Sequence, residues 1–228
     1  MKVIVTRPAE QAGRLVEALE QLGHEAVLCP VLAIEPLGDG PVDTTGYDWV
    51  VITSANGAAE FARRRTGRLP RVAAIGRGTA EALAGRGIAV DLVPSVSTQE
   101  GLVAELPRPT GRVLFAGAEG ARRHLLEALD ADFVPLYRTT PLHPASAPAG
   151  DLVVLASASA ARAFAQLRTD VPAVSIGPQT TSAALVAGLR VVAEARTHDL
   201  DGLIAAVSQA AARTSLGGTF RSGSPTIE

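Results

Sequence analysis

Short runs of consecutive apolar residues alternate along this chain with stretches in which apolar residues recur every three or four positions. Val3-Ile4-Val5 is β-branched and unbroken, the pattern of a strand buried on both faces. Leu15, Val16, Leu19 and Leu22 follow at helical spacing, and Gly23 closes that helix. The same grammar predicts strands at 49–52, 72–75, 89–93, 113–115, 152–155, 174–176 and 191–192. It predicts helices over 58–64, 79–84, 122–129, 160–167 and 180–187. Alternation of this kind specifies an α/β fold, in which helices cover both faces of a parallel sheet.

The pattern also repeats itself. Lys2–Arg7 (KVIVTR) matches Arg112–Gly117 (RVLFAG), and each is followed by a helix carrying Val16-Glu17-Ala18-Leu19 or Leu126-Glu127-Ala128-Leu129. Asp48–Asn56 (DWVVITSAN) matches Asp151–Ser159 (DLVVLASAS). Val72–Gly76 matches Ala173–Gly177, with Thr79 and Thr180 on the helices that follow, and Glu100-Gly101-Leu102 matches Asp201-Gly202-Leu203. Blocks recurring in one order about one hundred residues apart mark two homologous halves. Two further stretches, Pro30–Pro36 and Pro135–Pro141, begin and end with proline, which disfavours helix and suits extended connectors joining two domains. From Arg213 to Glu228 the chain is rich in Gly, Ser, Thr and Pro, and this tail is expected to be disordered.

Composition narrows the choice of function. Apolar residues make up 47% of the 228 and charged residues 19%, so a packed core is expected. The net charge is −2, and no global basic field exists to hold nucleic acid or an anionic membrane. Lys2 is the only lysine, so the positive charge is carried by arginine, the better partner for carboxylates. Cys29 is the only cysteine, which excludes a disulfide within the chain and fits a reducing compartment. The start shows no signal-peptide pattern and no apolar run reaches the ~18 residues of a membrane span, so a cytoplasmic protein is expected. His24, His124, His143 and His198 have no ligand spacing, and no metal site or cofactor is predicted.

The candidate chemistry lies in the turns. Gly76-Arg77-Gly78-Thr79 and Gly177-Pro178-Gln179-Thr180 each follow a strand and open a helix. Helix starts carry unpaired N–H groups and partial positive charge, which suit an anion, while ordinary capping is the competing role. Ser54 and Asn56 in one half, Ser157 and Ser159 in the other, occupy a second repeated turn at the carboxyl end of a strand. Ligands bind open α/β sheets there, and here too Ser and Asn serve equally well as caps. Tyr137, one of two tyrosines, lies in the second connector, where a phenol either packs or donates a hydrogen bond. No dinucleotide fingerprint, Walker sequence or nucleophile elbow is present.

Taken together, Val5-Thr6-Arg7-Pro8, Thr53–Gly57, Ile75–Thr79, Leu136-Tyr137-Arg138, Ser157–Ser159 and Ile176–Thr180 resemble the uroporphyrinogen-III synthase family, in its order, from Lys2 to about Val207. The resemblance implies two flavodoxin-like domains joined by a two-stranded linker, one made of 1–34 plus 140–212 and the other of 36–138. It implies hydroxymethylbilane as substrate, closed in the cleft between the domains to uroporphyrinogen III with inversion of the terminal ring. No cofactor is implied, and the catalytic candidate is Tyr137. Arg7, Ser54, Asn56, Gly76, Arg77, Thr79, Ser157, Ser159, Gly177 and Thr180 become the substrate-binding candidates. Ala156 departs from the family's pattern, which commonly has threonine there. A monomer is expected, receiving its substrate from hydroxymethylbilane synthase. The competing readings are a two-lobed cytoplasmic ligand-binding protein and a transferase using the Gly-Thr turns for phosphate.

Overall fold

A computed structural model describes residues 1–215. In chain order the elements are β1 (Lys2–Val5), α1 (Ala9–Gln21), β2 (Glu25–Leu28), β3 (Leu32–Pro36), β4 (Val42–Asp43), β5 (Trp49–Ile52), α2 (Ala55–Arg64), β6 (Arg65–Thr66), β7 (Arg71–Ala74), α3 (Arg77–Ala84), α4 (Gln99–Glu105), β8 (Val113–Ala118), α5 (His124–Leu129), β9 (Asp132–Pro141), β10 (Leu152–Leu155), α6 (Ala158–Ala165), β11 (Ala173–Ser175), α7 (Pro178–Val186), β12 (Val191–Glu194) and α8 (Leu200–Ser215). The chain divides into two compact units, one of Met1–Ala33 with the segment from Pro141 onward, the other of Ile34–Thr140.

Unit 1 is built on a five-stranded sheet in the order β12-β11-β10-β1-β2, parallel throughout. Strand residues alternate between the two faces, as a pleated sheet requires. Val3, Val5, Leu152 and Val154 pack with Leu15 and Leu19 of α1 and Leu203 and Val207 of α8. Ile4, Val153 and Leu155 pack the other face with Phe164 of α6 and Ala184 of α7. Both faces are covered, which is why these strands are apolar without a break.

Unit 2 repeats the plan. Its sheet runs β3-β9-β8-β5-β7, and β9, β8, β5 and β7 are parallel. Trp49, Val51, Val113 and Phe115 face Leu102 of α4 and Leu125 of α5, while Val50, Ile52 and Leu114 face Phe61 of α2 and Leu83 of α3. The connector strand β3 lies against β9, with Leu37 N–H on Leu136 O at 2.8 Å. The repeated blocks are exchanged between the units. Lys2–Arg7 lies with the blocks at Asp151, Ala173 and Asp201, and Arg112–Gly117 lies with those at Asp48, Val72 and Glu100. The spatial order β2-β1-β10-β11-β12 is therefore matched by β9-β8-β5-β7 followed by the bridge of Leu92 to Ala73.

Two sequence expectations need correction. The strand predicted at 89–93 is reduced to that bridge, because the Asp91 carboxylate takes the Val72 N–H at 2.7 Å where a strand's carbonyl would sit. The tail predicted to be disordered from Arg213 loses its first residues to α8, which runs to Ser215 behind the buried Val207 and Ala210. The remainder of that tail, 216–228, lies outside the described residues.

Candidate functional site

In unit 2 the chain leaves β5 at Thr53 and enters α2 through Ser54. Ser54 is extended (φ −163°, ψ 158°), and its Oγ accepts the Gly57 N–H at 2.9 Å, a helix cap. The same Oγ lies 2.8 Å from the Tyr137 hydroxyl. A register shift at the end of β8 delivers that phenol: Gly117 pairs with Pro135 but Ala118 pairs with Tyr137. The Tyr137 carbonyl is held by Glu119 N–H at 2.8 Å, and the residue is 5% exposed. Burial raises its pKa above the ordinary value near 10, against a smaller lowering by the bond to Ser54. Asn56 is half-buried on the first turn of α2.

The second turn of this unit opens α3. Gly76 is extended, and its carbonyl accepts the N–H groups of Thr79 and Ala80, both at 3.1 Å. Thr79 is buried. Arg77 is exposed and paired with Glu81 at 2.8 Å. A side chain at Gly76 would meet Ser97 Oγ at 2.8 Å, so the glycine makes room for the loop before α4.

Unit 1 carries equivalent turns. Ser157 has the same backbone as Ser54 (φ −163°, ψ 157°) and accepts the Ala160 N–H at 3.1 Å, with Ser159 exposed on the first turn of α6. Gly177 opens α7, where its carbonyl accepts Thr180 and Thr181 N–H at 3.0 and 2.9 Å, and Thr180 is buried. Here the first helical residue is Pro178, which has no N–H, so this start has one donor fewer than that of α3. His198 fills the space beside Gly177 as Ser97 does beside Gly76, with its ring 2.8 Å from where a Cβ would be. At the end of β11, Ser175 Oγ meets Thr181 Oγ1 at 2.5 Å and Thr181 is bonded in turn to Glu194.

Arg7 follows β1. Thr6 before it donates to Val154 O at 2.8 Å, and Pro8 after it is the first cap of α1. The guanidinium is part-buried, with Nη2 3.5 Å from Gln11 Oε1, and burial lowers its pKa. Tyr137 lies within β9 beside the end of β8, and the other sequence-predicted residues sit at the carboxyl ends of the strands of their own sheet. Ser54 and Tyr137 are in bonded contact, while Ser157, Gly177 and Arg7 belong to unit 1. Ser97, and the packing of His198 against Gly177, escaped the sequence reading, although both residues stand four positions before the repeated glycines Gly101 and Gly202. Among the described residues no group of three or more His, Cys, Asp or Glu could hold a metal ion, and no helix is long and apolar enough to cross a membrane.

Largely parallel sheets covered by helices on both faces, with polar turns at the carboxyl ends of their strands, define an α/β protein. Residues 13–205 match the family model described as Uroporphyrinogen-III synthase HemD, and the chain belongs to that family. It is 28% identical over 256 aligned residues to a uroporphyrinogen-III synthase of Synechococcus elongatus, covering 93% of this chain and 96% of that one. A porphyrin biosynthesis protein HemD of Ruminiclostridium josui is 31% identical over 87% of this chain, which spans 46% of that longer protein. The crystal structure of uroporphyrinogen-III synthetase from Helicobacter pylori shares the fold, with a TM-score of 0.63 at 16% identity, covering 91% of this chain and 98% of that one.

Proposed function

We propose that this chain converts hydroxymethylbilane to uroporphyrinogen III, closing the linear tetrapyrrole with inversion of its terminal ring and loss of water. Membership of the family over residues 13–205 supports the reaction. The observation that carries the assignment of chemistry to residues is the contact of Ser54 with the buried Tyr137 at 2.8 Å. Ser54 Oγ already accepts the Gly57 N–H, so its own proton is available for the Tyr137 oxygen. That leaves the Tyr137 O–H to donate to the departing hydroxyl of the substrate. The phenol's raised pKa keeps it protonated for this role.

Most of the work is conformational. Closure to the uninverted isomer proceeds without a catalyst, so the protein must favour one carbon–carbon bond over another by holding the chain in place. The substrate's carboxylates are met by Arg7, Gly76, Arg77 and Thr79, with Gly177 and Thr180, and its polar groups by Ser54, Asn56, Ser157 and Ser159. In this reading the units are two flavodoxin-like domains, 1–34 plus 140–212 and 36–138, and the matched strand orders support it. The enzyme acts as a cytoplasmic monomer supplied by hydroxymethylbilane synthase.

Incubating the protein with hydroxymethylbilane and separating the type I and type III products tests the assignment. A product dominated by type III supports it. A ratio equal to that of buffer alone removes the enzyme reading and leaves that of a ligand-binding protein.

A further inference from the structure

At the carboxyl end of unit 1's sheet, three side chains outside the substrate-binding candidates form a hydrogen-bonded chain. Ser175, the last residue of β11, is fully buried, and its Oγ meets Thr181 Oγ1 at 2.5 Å. Thr181 is half-buried in the first turn of α7 and bonds to Glu194 Oε2 at the exposed end of β12. A hydroxyl has one proton, and Thr181 gives it to the carboxylate, so Ser175 is the donor in the other bond. The chain therefore runs in one direction, from Ser175 through Thr181 to Glu194.

Unit 2 has no counterpart. The repeated blocks put Ala74 where Ser175 stands and Ala80 where Thr181 stands. The bridge of Leu92 to Ala73 corresponds to the pairing of Ala193 with Val174, which puts Val93 in the place of Glu194. The same fold thus packs these places with apolar side chains, so packing alone does not call for the hydroxyls, and a buried hydroxyl is costly unless it is bonded.

The chain sits under the turn that opens α7. Ile176 alone separates Ser175 from Gly177, whose carbonyl takes the Thr180 and Thr181 N–H groups at 3.0 and 2.9 Å. Ser175 O is itself held by the Ala195 N–H at 2.9 Å. Pro178 leaves this turn one N–H short, so it depends more on the aim of the donors that remain. Resting on the function proposed above, we infer that Thr181 and Glu194 are positioning residues: they fasten the start of α7 to the ends of β11 and β12 and so aim the Gly177–Thr180 turn at a carboxylate of the substrate. They act through the backbone of the turn. Donors fixed in advance bind an anion without the loss that comes from ordering them.

Thr181→Val, Glu194→Ala and Glu194→Gln in the full chain, assayed with hydroxymethylbilane, test this. Glu194 is exposed, so its truncation leaves the core intact even if Thr181→Val fails to fold. Glu194→Ala should raise KM about fivefold, the effect of one lost hydrogen bond, and leave kcat within about twofold. Thr181→Val should do the same, and the double variant should be no worse than either single one, because both break one chain. Glu194→Gln keeps an acceptor for Thr181 and should restore KM to within about twofold of the unmodified protein. An unchanged KM in Glu194→Ala, whatever its melting temperature, overturns the inference and makes the chain structural. A KM in Glu194→Gln no better than in Glu194→Ala overturns it as well. Failure of the unmodified protein to form type III product above buffer is a different result, which sinks the proposed function and the role of the turn with it.

Discussion

The Ser54 Oγ atom serves the backbone and the phenol at once, accepting the Gly57 N–H at 2.9 Å and meeting Tyr137 Oη at 2.8 Å. Ser157 has the same backbone angles and the same cap bond, but no tyrosine. The two serines are thus an internal control. Ser157→Ala should cost about 1 kcal/mol, the usual value of a lost cap. Ser54→Ala loses its cap and also strands a buried phenol hydroxyl, so it should cost about 1 kcal/mol more. Urea denaturation of the two variants measures the difference.

Tyr137→Phe keeps the ring in its packing and removes only the donor. Turnover should fall at least ~10-fold if the hydroxyl assists the leaving group. The remaining turnover should show a lower share of type III product. Because burial pushes the Tyr137 pKa above 10, no loss of rate attributable to its ionisation should occur between neutral pH and about pH 9. A rate profile that falls with an apparent pKa near 8 and disappears in Tyr137→Phe would contradict the environment described.

How far the sequence could be read is shown by particular positions. The equivalence of Ser54 and Ser157 was legible because both end a strand in a repeated block. The contact of Ser54 with Tyr137 was not, since it depends on a register shift between β8 and β9. The part played by Pro178 was in plain sight as a residue, yet its missing N–H matters only once the start of α7 is known. Ser97 and His198 are positioned by loops that fold back onto glycines about twenty residues earlier, which no periodicity reports. The strand predicted at 89–93 had the right composition and lost its ladder to the Asp91 side chain.

Acid stability offers a third check, on Glu100. Arg122 grips its carboxylate through both nitrogens, at 2.9 and 3.2 Å. The side-chain bond to Arg122 leads in holding its pKa down from 4.5 to about 2. A carboxylate with a depressed folded pKa contributes stability that is whole above its unfolded pKa and is lost as pH falls through the folded one. The gap in melting temperature between the unmodified protein and Glu100→Gln should therefore be constant above about pH 5 and close between there and about pH 2. A gap that stays constant through that window would show the pair to be unformed in solution.

The repeated glycines Gly101 and Gly202 make the sharpest prediction about stability. Each donates its N–H to a capping side chain, Gly101 to Thr98 Oγ1 at 3.0 Å and Gly202 to Asp199 Oδ1 at 2.8 Å. Neither has a positive φ, so an alanine would meet no backbone strain. What it would meet is the carbonyl of Val96 or of Thr197, against which any Cβ would collide. Those carbonyls belong to main chain and cannot swing aside as a side-chain tip does. Gly101→Ala and Gly202→Ala should each cost about 3 kcal/mol or more, because the loop or the helix start must move. Gly13, an exposed residue inside α1 with nothing near its missing Cβ, is the contrast: Gly13→Ala should gain about 0.5–1 kcal/mol from helix propensity alone. Denaturant midpoints for the three variants, with equal m-values, would establish that close approach keeps glycine in the fourth repeated block. Equal stability for Gly101→Ala and Gly13→Ala would mean that the loop before α4 does not lie where it is described.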